Sequence, residues 1–181
     1  MARVLVPVAE GFEEIETATI VDVLRRAGVD VVLAGLDSAE PITGSRGMVF
    51  GVDAALAAVA DEPWDLVVLP GGLNSAERLA TSDLMLDLLR SRVYSGQSVA
   101  AICAGPLALD AAGLLPAGGW TCHPDLKERM QTAGWQDEPV VEHGTLITSQ
   151  GPATAMLFAL RLVTKLVTRD KAVEVTRGLL L

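Results

Sequence analysis

Residues 98–106 read SVAAICAGP, and this stretch decides the fold. Its first five residues form a short apolar run, which predicts a strand buried on both faces of a sheet. Cys103 comes next, and the small residues on either side of it allow a tight turn into a helix predicted over residues 104–115. A strand, a sharp turn and a helix with a nucleophile at the turn form a nucleophile elbow, here with cysteine in place of serine.

The same alternation of short apolar runs and longer amphipathic segments continues in both directions. It predicts strands at residues 3–9, 29–36, 64–69, 98–102 and 146–149, and a small hairpin within residues 43–52. It predicts helices at residues 12–27, 53–59, 74–94, 104–115, 154–166 and 171–177, the 74–94 segment being broken near residues 81–82. This order indicates an α/β fold, a flavodoxin-like doubly wound sandwich with a mainly parallel central sheet. We expect residues 1–181 to form a single domain of this kind.

The composition narrows the class of protein. Half of the 181 residues are apolar and 20% are charged, which is the balance of a globular protein. A net charge of −9 repels the phosphates of nucleic acids, and the apolar run at residues 4–9 is too short to span a bilayer. Two cysteines do not make a disulfide framework. We therefore expect a soluble cytoplasmic protein that binds neither nucleic acid nor membrane.

Ligands of doubly wound sheets bind beyond the carboxyl ends of the strands, so functional residues are expected at those ends. Four carboxylates follow the first strand: Glu10, Glu13, Glu14 and Glu16. They disfavour a phosphate-bearing cofactor there, and the chain has neither a G-x-G-x-x-G run nor a Walker A motif. The histidines and cysteines lack the spacing of zinc ligands. No cofactor and no metal ion is predicted.

Cys103 is the most informative residue at a strand end. A helix N-terminus favours the thiolate over the thiol, and a thiolate is a standing nucleophile. The alternative is a buried, inert cysteine that packs as a small apolar side chain. The predicted position at the carboxyl edge of the sheet favours the functional interpretation.

Two further features surround the predicted elbow. Gly71 and Gly72 end a neighbouring strand, and backbone N–H groups there, with that of Ala104, are suited to an oxyanion hole, although a plain turn is the alternative. A glutamate buried near Cys103 would have a raised pKa and could exchange a proton with the sulfur. Glu13 and Glu16 share a helix face, but the residues alone do not decide which glutamate serves, and three of the four acids are expected to be solvated.

Five segments together resemble the DJ-1/ThiJ/PfpI superfamily, most closely its DJ-1-like branch. They are residues 10–16 (EGFEEIE), 21–28 (VDVLRRAG), 68–72 (VLPGG), 101–106 (AICAGP) and 148–152 (TSQGP). The resemblance covers nearly the whole chain, in order and with nearly the same spacing.

The resemblance implies a role for each matching residue. It assigns the reactive cysteine to Cys103, its buried protonated glutamate partner to Glu16 and the pocket histidine to His123. It assigns the oxyanion-hole amides to Gly72 and Ala104. The other pocket residues that it implies are Glu13, Gly71, Arg26 and Arg46, of which the two arginines line a pocket related to a dimer interface.

The sequence differs from two other branches of the superfamily at positions that their hydrolytic reactions need. The protease-like branch has histidine directly after its cysteine, where this chain has Ala104. Related glutamine amidotransferases need a late His-x-Glu, where this chain has Ser149 and Gln150. Peptide and glutamine hydrolysis are therefore disfavoured. Some members of the family have a second cysteine at the dimer interface, where this chain has Gly51. A redox role for a cysteine at that position is therefore not expected here.

The resemblance thus implies a cofactor-independent glyoxalase (glyoxalase III type), or protein deglycase, that protects against carbonyl and oxidative stress. Its substrate would be an α-oxoaldehyde such as methylglyoxal, or a glycated protein, bound through a cysteine hemithioacetal. A homodimer is implied as well, with the first long helix at its interface. The alternative is a redox-sensing or chaperone protein that uses an oxidisable, low-pKa cysteine.

Overall fold

A seven-stranded sheet forms the centre of the computed structural model, which describes residues 1–181. The strands are Arg3–Val8 (β1), Asp30–Gly35 (β2), Ile42–Thr43 (β3), Val49–Phe50 (β4), Ala54–Ala55 (β5), Leu66–Leu69 (β6), Ser98–Ile102 (β7), Val140–His143 (β8) and Leu146–Ser149 (β9). The helices are Glu14–Arg26 (α1), Leu56–Val59 (α2), Leu73–Ala80 (α3), Asp83–Tyr94 (α4), Pro106–Ala111 (α5), Ala155–Leu166 (α6) and Arg169–Gly178 (α7). Two 3₁₀ helices cover Pro124–Arg129 and Pro152–Thr154.

The strand order in the sheet is β5-β2-β1-β6-β7-β9-β8, and β3 and β4 pair separately as a hairpin. All neighbours in the sheet are parallel except β8, which runs antiparallel to β9. One apolar core lies under α1, α6 and α7, and a second lies on the opposite face under α2 to α5. The predicted doubly wound α/β sandwich with a mainly parallel sheet is confirmed.

Several predicted boundaries agree with the structure. The strands at residues 98–102 and 146–149 match β7 and β9, which are short segments buried almost entirely on both faces. The break near residue 81 is present, and Ser82 caps the second helix by accepting a hydrogen bond from the Met85 N–H at 3.3 Å.

Other local predictions were wrong. Residues 53–59, predicted as one helix, begin with the two-residue strand β5, which pairs with β2. The helix predicted over residues 104–115 is limited to α5, because residues 103–105 form the turn of the elbow and residues 112–113 form a turn after the helix. The edge strand β8 was missed because only Val141 in it is buried, so it carries little apolar signal.

None of the helices combines the length and the apolar character needed to cross a bilayer.

Candidate active site

Cys103 lies at the apex of the turn between β7 and α5, as the elbow predicts. Its φ of +62° lies in the left-handed region that side chains other than glycine rarely adopt, and such a conformation costs on the order of 1–3 kcal/mol. The turn is held by the Cys103 N–H, which donates to Ser149 O at 2.9 Å. Gly105 completes it, because a Cβ there would lie 2.4 Å from Leu69 O. The side chain is 9% exposed and borders a cavity.

Glu16 is the glutamate that the fold brings to Cys103. It lies in the first turn of α1 and is fully buried, and its Oε2 accepts a hydrogen bond from the Gly71 N–H at 2.7 Å. The other oxygen, Oε1, is buried without a hydrogen-bond partner, and the carboxyl group lies close enough to the Cys103 thiol for each group to shift the pKa of the other. The choice among four acids that the residues left open therefore falls on Glu16.

Burial shifts the pKa of both groups upward. It raises the pKa of Glu16 to about 7, against hydrogen bonds from Gly71 and Cys103 that act in the opposite direction. Burial, and then the charge of Glu16, raise the pKa of the Cys103 thiol above its ordinary value. The expectation that a helix N-terminus would lower this pKa is wrong, since burial and the neighbouring carboxylate outweigh that effect. Near neutral pH an ionised Glu16 is thus placed to accept the thiol proton.

Gly71 lies between these two groups, and its lack of a side chain lets them meet. A Cβ on Gly71 would be 2.6 Å from both Cys103 Cβ and Glu16 Oε2, and 2.9 Å from Cys103 Sγ. The resemblance implied that Gly71 lines the pocket. In the structure Gly71 does not border the cavity and lies beneath it, between Cys103 and Glu16.

We predict that Gly71→Ala lowers the free energy of unfolding by about 1–3 kcal/mol, because the methyl group overpacks the site. Alkylation of Cys103 by iodoacetamide should also slow, since the same methyl group crowds the sulfur. Gly178→Ala is the matched control: no atom lies within 4 Å of its added Cβ, and alanine favours the helix. Urea unfolding and mass-spectrometric alkylation rates measure both effects. Equal behaviour of the two variants would refute the packing argument.

The backbone N–H groups of Gly72 and Ala104 lie beside the Cys103 sulfur, where they act to lower the pKa of the thiol against the larger effect of burial. Gly72 has a φ of +86°, and a Cβ on it would lie 2.2 Å from Gly11 O, so only glycine fits there. Both predicted oxyanion-hole donors thus flank Cys103, where they can hold a negative charge on sulfur or on an adjacent oxygen.

A cavity of about 780 Å³ opens above Cys103, and the implied residues Glu13, Arg46 and His123 border it. Glu13 also caps α1, because its carboxylate accepts a hydrogen bond from the Glu16 N–H at 2.7 Å. His123 Nδ1 accepts from the Asp125 N–H at 3.3 Å. A neutral imidazole that accepts at Nδ1 carries its proton on Nε2, so Nε2 is the donor left for a ligand.

Two positions differ from the sequence-based expectations. Arg26 lies at the C-terminal end of α1, where it pairs with Asp22, and it does not border this cavity. Its role in a pocket shared by two copies remains a prediction. Glu14 was counted among the solvated acids but is buried at 3% exposure. The nearby glycine-flanked turn at residues 44–47 (GSRG) was the one sequence signal that could have pointed to its partner.

The comparisons with known proteins agree over the full chain. The sequence profile of the DJ-1/PfpI family matches residues 2–165. Protein dj-1beta of Drosophila melanogaster is 42% identical over 178 residues, which is 97% of this chain and 95% of that protein. Its crystal structure superposes with a TM-score of 0.96 at 41% identity, covering 99% of this chain and 98% of the other.

Two other relatives are informative about chemistry. The glutathione-independent glyoxalase DJR-1.2 of Caenorhabditis elegans is 38% identical over 182 residues, which is 99% of this chain and 96% of that protein. The structure of oxidised Toxoplasma gondii DJ-1 has a TM-score of 0.94 at 35% identity, covering 99% of this chain and 98% of the other.

Proposed function

This chain belongs to the DJ-1/PfpI family, and on that premise we propose that it is a glyoxalase that needs neither glutathione nor another cofactor. It converts an α-oxoaldehyde such as methylglyoxal to the 2-hydroxy acid, and as a deglycase it acts on early adducts of these aldehydes with proteins. The observation that carries the proposal is the buried Glu16 beside Cys103, below an open cavity and next to two backbone donors. The related glyoxalase of Caenorhabditis elegans supports the same activity.

The first step is addition of the thiol to the aldehyde. Cys103 Sγ bonds to the aldehyde carbon as the carbonyl π bond breaks, and the thiol proton passes to Glu16. The negative charge moves to the aldehyde oxygen, where the N–H groups of Gly72 and Ala104 stabilise it. Glu16 then returns the proton to that oxygen, which leaves a neutral hemithioacetal and an ionised carboxylate.

The second step moves hydrogen from one carbon to the next. Glu16 takes the C–H proton of the hemithioacetal carbon while His123 Nε2–H protonates the ketone oxygen, which gives an enediol. Glu16 then delivers its proton to the neighbouring carbon, and the hydroxyl proton of the first carbon returns to His123. The aldehyde carbon has been oxidised to a thioester and the ketone reduced to an alcohol, so no external oxidant is needed.

The last step is hydrolysis of the thioester. Water adds to the thioester carbonyl, the C–S bond breaks and the sulfur leaves as the Cys103 thiol, which releases lactate when the substrate is methylglyoxal. With a free α-oxoaldehyde the reaction has no amine leaving group to protonate, which fits a site without a histidine directly after the cysteine. Lactate formation from methylglyoxal without added glutathione tests the proposal.

We also propose that the protein is a homodimer joined through α1 and the β3–β4 hairpin. Ile15, Met48 and Val49 are 58%, 58% and 64% exposed, and the α1 residue Ala18 borders a shallow cavity together with Val49. Large apolar side chains exposed together favour burial against another protein surface. A second copy is the occupant that the family membership supports.

Val49→Asp is expected to convert the dimer to a monomer of 19.0 kDa, because it would bury a charge in the interface. Val173→Asp is the matched control, since Val173 is also exposed but lies on α7. Light scattering coupled to size exclusion gives the masses. A monomeric wild-type protein, or dissociation by the α7 variant alone, would contradict this interface.

A further inference from the structure

Glu14 is a buried carboxylate that the proposed reaction does not use. It lies beside Glu16 in the first turn of α1, is 3% exposed and does not border the cavity. Its Oε1 accepts hydrogen bonds from the N–H groups of Arg46 and Met48, at 2.5 and 3.4 Å. Its Oε2 accepts from the Ser45 hydroxyl at 3.0 Å. All three donors belong to residues 44–48, which join β3 to β4 and are called the 44–48 turn below.

The 44–48 turn is built around this carboxylate. A Cβ on Gly44 would lie 2.5 Å from the Glu14 carboxyl group, so a larger residue there would displace it. The Ser45 N–H donates to Phe12 O at 2.8 Å, which ties the turn to the segment preceding α1. Burial on its own raises the pKa of Glu14, but hydrogen bonds, that from the Arg46 N–H foremost, outweigh it and lower the pKa. The carboxylate therefore stays ionised near neutral pH and keeps its donors.

The same turn forms one wall of the cavity above Cys103. Gly44, Ser45 and Arg46 border the cavity, as does Thr43 just before them. Glu14 has no hydrogen bond to Cys103 or to Glu16. Its effect on the site therefore passes through the wall that it holds and not through the reacting groups.

We propose that Glu14 is a positioning residue, which holds the 44–48 turn against α1 and thereby determines how tightly the cavity binds its carbonyl substrate. The kinetic part of this inference rests on the proposed glyoxalase function. Loss of the anchor loosens one wall while Cys103, Glu16 and the two backbone donors keep their places. Substrate binding should then weaken with little change in the chemical step.

Glu14→Met and Glu14→Gln form the decisive pair. Methionine has a similar length but accepts none of the three hydrogen bonds. Glutamine can accept the two N–H groups at Oε1 and donate from Nε2 to the Ser45 hydroxyl, so it should rescue the anchor. For Glu14→Met we expect KM for methylglyoxal to rise about fivefold and kcat to change less than about twofold, with Glu14→Gln within about twofold of wild type in both. Glu40→Met, at an exposed glutamate, is the control and should change neither.

Two measurements test the anchor without relying on turnover. Trypsin should cleave after Arg46 faster in Glu14→Met than in wild type, relative to cleavage after Arg177. The rate of Cys103 alkylation by a bulky pyrene maleimide should rise relative to that by iodoacetamide, because only the large reagent depends on the width of the cavity. If wild type produces no lactate, but the proteolysis ratio and the alkylation ratio both rise in Glu14→Met, the glyoxalase proposal fails and the positioning role of Glu14 is supported.

Other outcomes would overturn the proposal. Unchanged KM, proteolysis and alkylation ratios in Glu14→Met would show that the turn does not need Glu14. A fall in kcat as large as the rise in KM, with both variants equally affected and a lowered unfolding midpoint, would show a general structural role instead.

Discussion

Replacing Cys103 with alanine is expected to lower lactate formation from methylglyoxal by at least about 10³-fold, since no other group can form the hemithioacetal. The second cysteine provides the control. Cys122 is fully buried and does not border the cavity, so Cys122→Ala should retain turnover in spite of some loss of stability. Lactate can be measured enzymatically after incubation with methylglyoxal in the absence of glutathione.

Two other outcomes of this experiment would contradict the proposed mechanism in different ways. Equal turnover by Cys103→Ala and wild type would remove the cysteine from the mechanism. No turnover by either protein would end the glyoxalase proposal and favour the redox alternative, for which the oxidised relative from Toxoplasma gondii is a precedent. Mass spectrometry after mild peroxide would then decide: a gain of two oxygens confined to Cys103 indicates a sensor, while an unmodified thiol indicates an inert one.

Glu16→Gln is expected to lower turnover by about 10²–10⁴-fold, because glutamine can accept the Gly71 hydrogen bond but cannot carry a proton between two carbons. Cys103 should remain open to alkylation, which separates loss of the proton carrier from loss of the nucleophile. Glu138→Gln, at an exposed position, is the matched control. Full turnover by Glu16→Gln would remove Glu16 from proton transfer.

Because the pKa of Glu16 is raised, wild type and Glu16→Gln should differ in the pH dependence of two properties, the alkylation of Cys103 and the stability. In wild type, alkylation of Cys103 should rise with pH through an inflection near 7, where Glu16 becomes ionised and can accept the thiol proton. Glu16→Gln should lose that inflection. The folded-state pKa of about 7 lies above the ordinary 4.5, so the native state binds more protons between these values and wild-type stability falls as pH rises across them. Urea unfolding should show that Glu16→Gln lacks this loss.

Much of the fold could be predicted because its signals are local. Short segments with apolar cores identified β7 and β9, and small residues around Cys103 identified the elbow. Short edge elements such as β5 and β8 escaped prediction, since their pairing with distant strands, and not their own pattern, makes them strands.

The sequence by itself determined the order of most strands and helices, the position of the elbow cysteine and, through its motifs, the family. The family motifs pointed to Glu16, but only the tertiary structure showed what holds Glu16 and that Glu14 is buried as well. Glu16 is fixed by Gly71, 55 positions away, and Glu14 by Arg46, 32 positions away. Periodicity places a side chain on a face of its helix, but its burial, its hydrogen bonds and thus its pKa depend on chain segments that only folding brings together.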